Sequence, residues 1–224
     1  MNKLPEELVR IPTDGVELEG DLVVPPSAAG LVIFAHGSGS SRRSPRNRAV
    51  AERLQVEGFA TLLFDLLTRT EDLDYANRFD ILLLTRRLLA STEWARHEIS
   101  LAGLPIGYFG ASTGAATALQ AAAVLREVVR AVVSRGGRPD LAGDALGAVV
   151  APTLLIVGGF DHVVLRLNRD AYSRMRAPRE LAIVPGATHL FEEPGTLDRV
   201  TDLAIRWFKD HLLVREEPRC ASCL

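Results

Sequence analysis

Six short apolar runs separated by helical stretches constrain this chain more than any other feature. They are LVIFA at 31–35, ATLLFD at 60–65, IGYF at 106–109, AVVS at 131–134, TLLIVG at 153–158 and ELAIV at 180–184. They lack the apolar–polar alternation of a half-exposed strand, as strands covered on both faces do. Helices are expected near 45–57, 76–91, 113–125, 165–176 and 196–213. The first is well punctuated: Ser44 suits its cap, Pro45 its first turn and Gly58 its exit. Such alternation specifies a mostly parallel sheet with right-handed crossovers and helices on both faces. Ahead of it, strand-like runs near 7–12 and 16–24 meet across Asp14-Gly15, a hairpin signal. The predicted fold class is therefore α/β, with eight strands, an N-terminal antiparallel hairpin and no cap domain.

A domain is expected over 1–215, followed by a C-terminal tail at 216–224. Hydrophobic residues make up 47% and charged residues 24% of the 224, the balance of a globular protein able to build a full core. A net charge of −2 argues against nucleic acid as a partner. No signal-peptide core and no bilayer-length apolar run is present, so a cytoplasmic protein without membrane attachment is expected. The two cysteines, Cys220 and Cys223, both lie in the tail PRCASCL. One pair without a following histidine cannot complete a zinc site, and Ala221 stands where a prenylation signal needs cysteine. No metal and no cofactor is expected, and nothing in the sequence fixes an oligomeric state.

The chemistry begins at Gly110-Ala111-Ser112-Thr113-Gly114, a G-x-S-x-G motif directly after the strand IGYF and directly before the helix STGAATALQAAA. The two flanking glycines, Gly110 and Gly114, let the chain turn sharply from strand to helix, lifting the serine hydroxyl clear of the sheet edge near a helix N-terminus. A serine hydroxyl is a weak nucleophile at neutral pH, so it needs a base, and the base needs a group that fixes its tautomer. TLLIVG runs into Asp161 and ELAIV runs into His189, which places both at the same sheet edge. Ser112 as nucleophile, His189 as base and Asp161 as acid follow. His162 is the rival base, and Asp65, also just past a strand, is the rival acid, with Asp80 and Asp140 behind it. The loop His36-Gly37-Ser38-Gly39-Ser40-Ser41 offers amides for an oxyanion, so the backbone N–H groups of Ser38 and Thr113 are the expected donors.

HGSGSS, GASTG, GGFDHVV and GATHLF together resemble the α/β-hydrolases, and are most similar to the dienelactone-hydrolase-like branch, over roughly residues 8–213. FGASTGAATAL and SRGGRPDLAG resemble a sub-branch of hydrolases sometimes fused to a phosphoribosyltransferase domain. Dienelactone hydrolases proper use a cysteine nucleophile, whereas this chain has Ser112 there. The resemblance implies serine hydrolase chemistry and leaves the substrate open.

The span 135–152 is too short for a lid domain, which suits a small or flexible acyl substrate. His36, Gly37 and Arg135 are candidate substrate contacts. Arg135 can pair with a substrate carboxylate or bind backbone carbonyls. Arg42, Arg43, Arg46 and Arg48 read either as a solvated helix face or as anion recognition. The expected activity is hydrolysis of a small-molecule carboxylic ester through an acyl-enzyme. The alternatives are a thioesterase or amidase with the same triad, or a non-catalytic module that binds a ligand or partner.

Overall fold

The computed structural model describes residues 4–213. Four strands are buried at every position: β3 (Gly30–Ala35), β4 (Phe59–Phe64), β5 (Ile106–Ala111) and β7 (Thr153–Gly158). These are apolar runs with no polar face, so water is excluded only when helices cover both sides. β6 (Val129–Arg135) lies between β5 and β7, and β8 (Arg179–Val184) is the partly exposed edge. β1 (Glu7–Thr13) alternates, turning Val9, Ile11 and Thr13 inward, and pairs antiparallel with β2 (Val16–Val23) across Asp14-Gly15. The eight strands lie in the order β1-β2-β4-β3-β5-β6-β7-β8, parallel from β4 onward.

Helices α1 (Pro45–Val56) and α5 (Thr196–Leu212) cover one face, burying Val50, Leu54, Val200, Ala204 and Phe208 against Phe34, Phe109 and Val133. α2 (Ile81–His97) and α3 (Thr113–Leu125) cover the other with Leu84, Leu88, Ala116 and Leu119. Each such large apolar side chain removed from water contributes about 1.5–3 kcal/mol. β3 pairs with β4 on one side and with β5 on the other, so the direction of winding reverses between β3 and β5. In open α/β sheets the crevice at that reversal, outside the carboxyl ends of the strands, is where ligands sit. The loops that leave it here are His36–Ser41 and the turn at Ser112.

Two helices start away from their expected positions because side-chain caps decide their first turns. Asp80 accepts the Leu83 amide at 2.9 Å, so α2 begins at Ile81 and two short 3-10 turns, Glu71–Leu73 and Tyr75–Phe79, precede it. Asp161 accepts the Val164 amide at 3.4 Å, so α4 (His162–Arg174) begins three residues early. Between β6 and β7 the chain makes only 3-10 turns over Pro139–Ala148, with no cap domain. Among the described residues no helix is long and apolar enough to cross a membrane. Cys220, Cys223 and the tail at 216–224 lie outside the described residues.

Candidate active site

Only Ser112 separates the end of β5 from the start of α3. Its backbone sits at φ +50°, ψ −120°, a conformation that costs a non-glycine residue about 1–3 kcal/mol. The surroundings hold it there: its amide donates to the Arg135 carbonyl at 3.2 Å, and its carbonyl accepts from Ala115 N at 3.1 Å and Arg138 N at 2.9 Å. Gly114 shows why the motif tolerates no side chain, since a β-carbon there would stand 2.1 Å from the Ala35 carbonyl oxygen. The hydroxyl of Ser112 is thus presented, half-buried, at the head of α3.

Asp161 and His189 leave β7 and β8 at the same edge. His189 Nδ1 lies 2.6 Å from Asp161 Oδ2. In the neutral imidazole, an Nδ1–H donated to this carboxylate leaves Nε2 as the free acceptor. The Asp161 side chain is 12% exposed and the His189 side chain 38%, which leaves the imidazole within reach of a ligand. Glu193 holds the loop carrying His189, accepting from Thr188 Oγ1 at 2.5 Å and Thr188 N at 3.1 Å. Those bonds, the hydroxyl first, keep the Glu193 carboxyl below its ordinary pKa. Sequence reasoning passed over Glu193; a carboxylate five residues after a threonine in THLFEE was the available signal.

The rival acids are otherwise engaged. Asp65 accepts the Arg42 amide at 2.7 Å and pairs with the Arg42 guanidinium. Asp140 pairs with Arg138, Asp80 caps α2, and His162 is exposed on the first turn of α4. The Arg42–Arg48 segment is not a uniformly solvated face. Arg42 is 6% exposed and binds Asp21 and Glu19 as well as Asp65, while Arg48 binds Asp21 and Glu6.

The loop after β3 requires two corrections. Ser38 N–H was expected to be open to an oxyanion, but it donates to Thr113 Oγ1 at 2.8 Å. The cause is the threonine after Ser112, whose hydroxyl reaches back across the crevice. The amides of Gly37, Gly39 and Thr113 donate to no protein acceptor among the described residues. Gly37 lies against Ser112: an added β-carbon would be 3.0 Å from Ser112 Cβ. His36, expected to touch substrate, is buried and both its nitrogens are occupied. Nδ1–H donates to the Gly37 carbonyl at 2.9 Å, and Nε2 accepts the Leu66 amide at 3.0 Å. Burial lowers its pKa, so the ring stays neutral and ties the ends of β3 and β4 together.

Arg135 ends β6 with its guanidinium buried and bonds no backbone carbonyl among the described residues; Asn47 Oδ1 at 3.4 Å is its partner. Its carbonyl takes the Ser112 amide, and a β-carbon on the next residue, Gly136, would lie 3.0 Å from the His189 carbonyl oxygen and 3.6 Å from His189 Cε1. Ser112, Asp161, His189 and the Gly37–Gly39 amides therefore share one edge of the sheet. The described residues contain no group of three or more His, Cys, Asp or Glu side chains disposed to hold a metal.

The sheet order, the strained serine turn after β5 and the Asp161–His189 pair define an α/β-hydrolase. The chain belongs to the dienelactone hydrolase family, whose profile matches residues 18–208. A crystal structure of a dienelactone hydrolase from Anabaena variabilis is 54% identical, with a TM-score of 0.91 over 93% of this chain and 98% of that one. A Pyrococcus furiosus esterase shares the fold at 20% identity and a TM-score of 0.76, over 93% of this chain and 92% of its own. Two curated relatives from Mycobacterium tuberculosis strains, both bearing the name "Putative phosphoribosyl transferase", are 61% identical over 209 residues. That match covers 93% of this chain and 47% of theirs, so the chain spans about half their length.

Proposed function

We propose that this hydrolase is a serine esterase that cleaves a small carboxylic ester through an acyl-enzyme. The observation carrying the reading is the 2.6 Å His189–Asp161 bond at the edge where the strained turn presents Ser112. In this reading Ser112 Oγ attacks the ester carbonyl while His189 Nε2 takes its proton. The alkoxide leaving group departs with that proton as the alcohol. Water then attacks the acyl-serine, giving up a proton to the same nitrogen, and the acid leaves as Ser112 recovers its hydrogen. Asp161 keeps the imidazole in the useful tautomer and stabilises the imidazolium. Thr113 N–H and an amide of the Gly37–Gly39 segment serve the oxyanion.

The names of the Anabaena and Pyrococcus proteins support an ester or lactone as the bond broken. We assign the transferase name of the mycobacterial relatives to the half of their length outside this match, since the matched half has the hydrolase fold. Labelling by a fluorophosphonate, together with turnover of short p-nitrophenyl esters, tests the reading. Loss of both in Ser112→Ala is expected. Retained turnover in that variant removes Ser112 from the chemistry, and release of pyrophosphate from a phosphoribosyl diphosphate by this chain alone overturns the assignment of the transferase.

A further inference from the structure

Arg42 and Arg135 are buried to nearly the same degree, at 6% and 8% exposure, but only Arg42 is neutralised. Asp65, Asp21 and Glu19 surround Arg42. Arg135 has no carboxylate within ion-pair distance among the described residues. Its Nε and Nη1 are shut off from solvent without an acceptor, and Nη2 reaches only the neutral Asn47 at 3.4 Å. Arg46, in the first turn of α1, adds to this imbalance. Its outer Nη1 donates to Glu192 Oε1 at 2.8 Å, while its Nε is buried and also lacks an acceptor. Burial first, and then the like charge of Arg46, pull the Arg135 pKa down to about 10. The N-terminus of α1, capped by Ser44, contributes the positive end of a helix dipole beside them.

Buried donors are nearly always paired, and a buried charge is normally met by an opposite one. Two guanidiniums that between them meet one carboxylate, Glu192 on Arg46, and keep three buried nitrogens without an acceptor describe a cradle short of an anion. From this we infer that Arg135 and Arg46 bind a small oxyanion, a carboxylate or a phosphate, beside the loop that carries His189. The forked donors of guanidinium match either group in two-point fashion. The position links the cradle to the reaction: the Arg135 carbonyl holds the Ser112 amide, and Gly136 packs on His189. On the esterase reading, the anion is a group on the substrate, one arm of which reaches the arginines while its ester carbonyl lies at Ser112.

The test compares p-nitrophenyl hydrogen glutarate with p-nitrophenyl valerate, two esters of similar length that differ in terminal charge. The kcat/KM ratio of glutarate to valerate is expected to exceed unity about tenfold. It should fall to near unity in Arg46→Gln and in Arg135→Met, mainly through the KM of the glutarate ester. Arg43→Gln, an exposed arginine of the same segment, should leave the ratio alone and so separates the cradle from general charge steering. Arg46 is partly exposed, so its variant remains informative where loss of Arg135 impairs folding. Inorganic phosphate tests the free anion: it should raise the melting temperature above matched sodium chloride, and Arg46→Gln should abolish the rise. A phosphate effect without a glutarate preference identifies a free anion as the occupant. A ratio unchanged in both arginine variants, with no phosphate effect, overturns the proposal. Failure to hydrolyse either ester counts against the esterase reading, and the phosphate arm then decides the cradle alone.

Discussion

The hydroxyl of Thr113 accepts the Ser38 amide at 2.8 Å, joining the residue after Ser112 to the loop that faces it. Thr113 is buried but Ser38 is exposed, so without the threonine oxygen the amide turns to water and the loop loses its tie to α3. A hydrogen bond of this kind contributes about 0.5–1.5 kcal/mol. Thr113→Val is therefore expected to lower kcat/KM by about tenfold by releasing the loop, whereas Thr113→Ser should stay within about threefold of the parent. Ester kinetics on the two variants check this; equal losses would show that the methyl group, not the hydroxyl, matters.

Ser112 carries both the proposed chemistry and a strained backbone, and two variants separate these. Ser112→Ala should lose about three or more orders of magnitude in turnover without unfolding. Ser112→Gly should be equally inactive but more stable by about 1 kcal/mol, because glycine adopts φ +50° without strain. For a domain of this size that is a rise of about 2–4 °C in Tm. A fall in Tm for the glycine variant would show that the surroundings, rather than the serine, bear the distortion.

Asp161 and Asp65 both follow strands, and they should respond differently to the same change. Asp161→Asn is expected to reduce turnover at neutral pH by about 10⁴-fold, through the wrong imidazole tautomer. Asp65→Asn should cost about 2 kcal/mol of stability by weakening the charge-assisted bonds to Arg42, with little effect on kcat. Urea denaturation and ester kinetics on both variants distinguish the roles, and the larger catalytic loss at Asp65 would reverse them.

His36 gives the fold a pH dependence whose sign follows from its bonds. Its pKa in the folded protein lies below the ordinary value of about 6.5, since burial disfavours the imidazolium. The unfolded chain therefore takes up a proton before the folded one does. The stability from neutral His36 is present above about pH 6.5 and declines as pH falls toward the lower folded value. The urea midpoint should accordingly drop more between pH 7.5 and 5 for the parent than for His36→Gln. Parallel profiles would remove His36 as the cause.

All eight strands, and the placing of Ser112, Asp161 and His189 at one sheet edge, were legible because each rests on local pattern: an apolar or alternating run, and for those three a polar residue in the turn beyond it. Less local features were not. The commitment of Ser38 depends on Thr113, 75 residues away, and the burial of Arg42 depends on Glu19 and Asp21 arriving on β2. The start of α2 was misplaced because apolar spacing continues through Tyr75 and Phe79, while the Asp80 cap decides the helix. His36 read as a ligand contact only because its partner, the Leu66 amide, comes from another strand's exit.

The contact of Gly114 with the Ala35 carbonyl bears on how such an enzyme changes its tastes. Gly114 has no room for a β-carbon, and at Gly37 one would fit only by pushing Ser112 aside, so the segments closest to Ser112 leave little to mutational exploration. Novelty must enter through segments that touch the crevice without supporting it. The 3-10 turns between β4 and α2 are such a segment: the Arg78 guanidinium lies 3.7 Å from where a β-carbon on Gly39 would stand, and Leu73 and Tyr75 are 85% and 68% exposed. Lineages descended from this scaffold should therefore diverge in substrate by rewriting those turns while inheriting the serine turn unaltered.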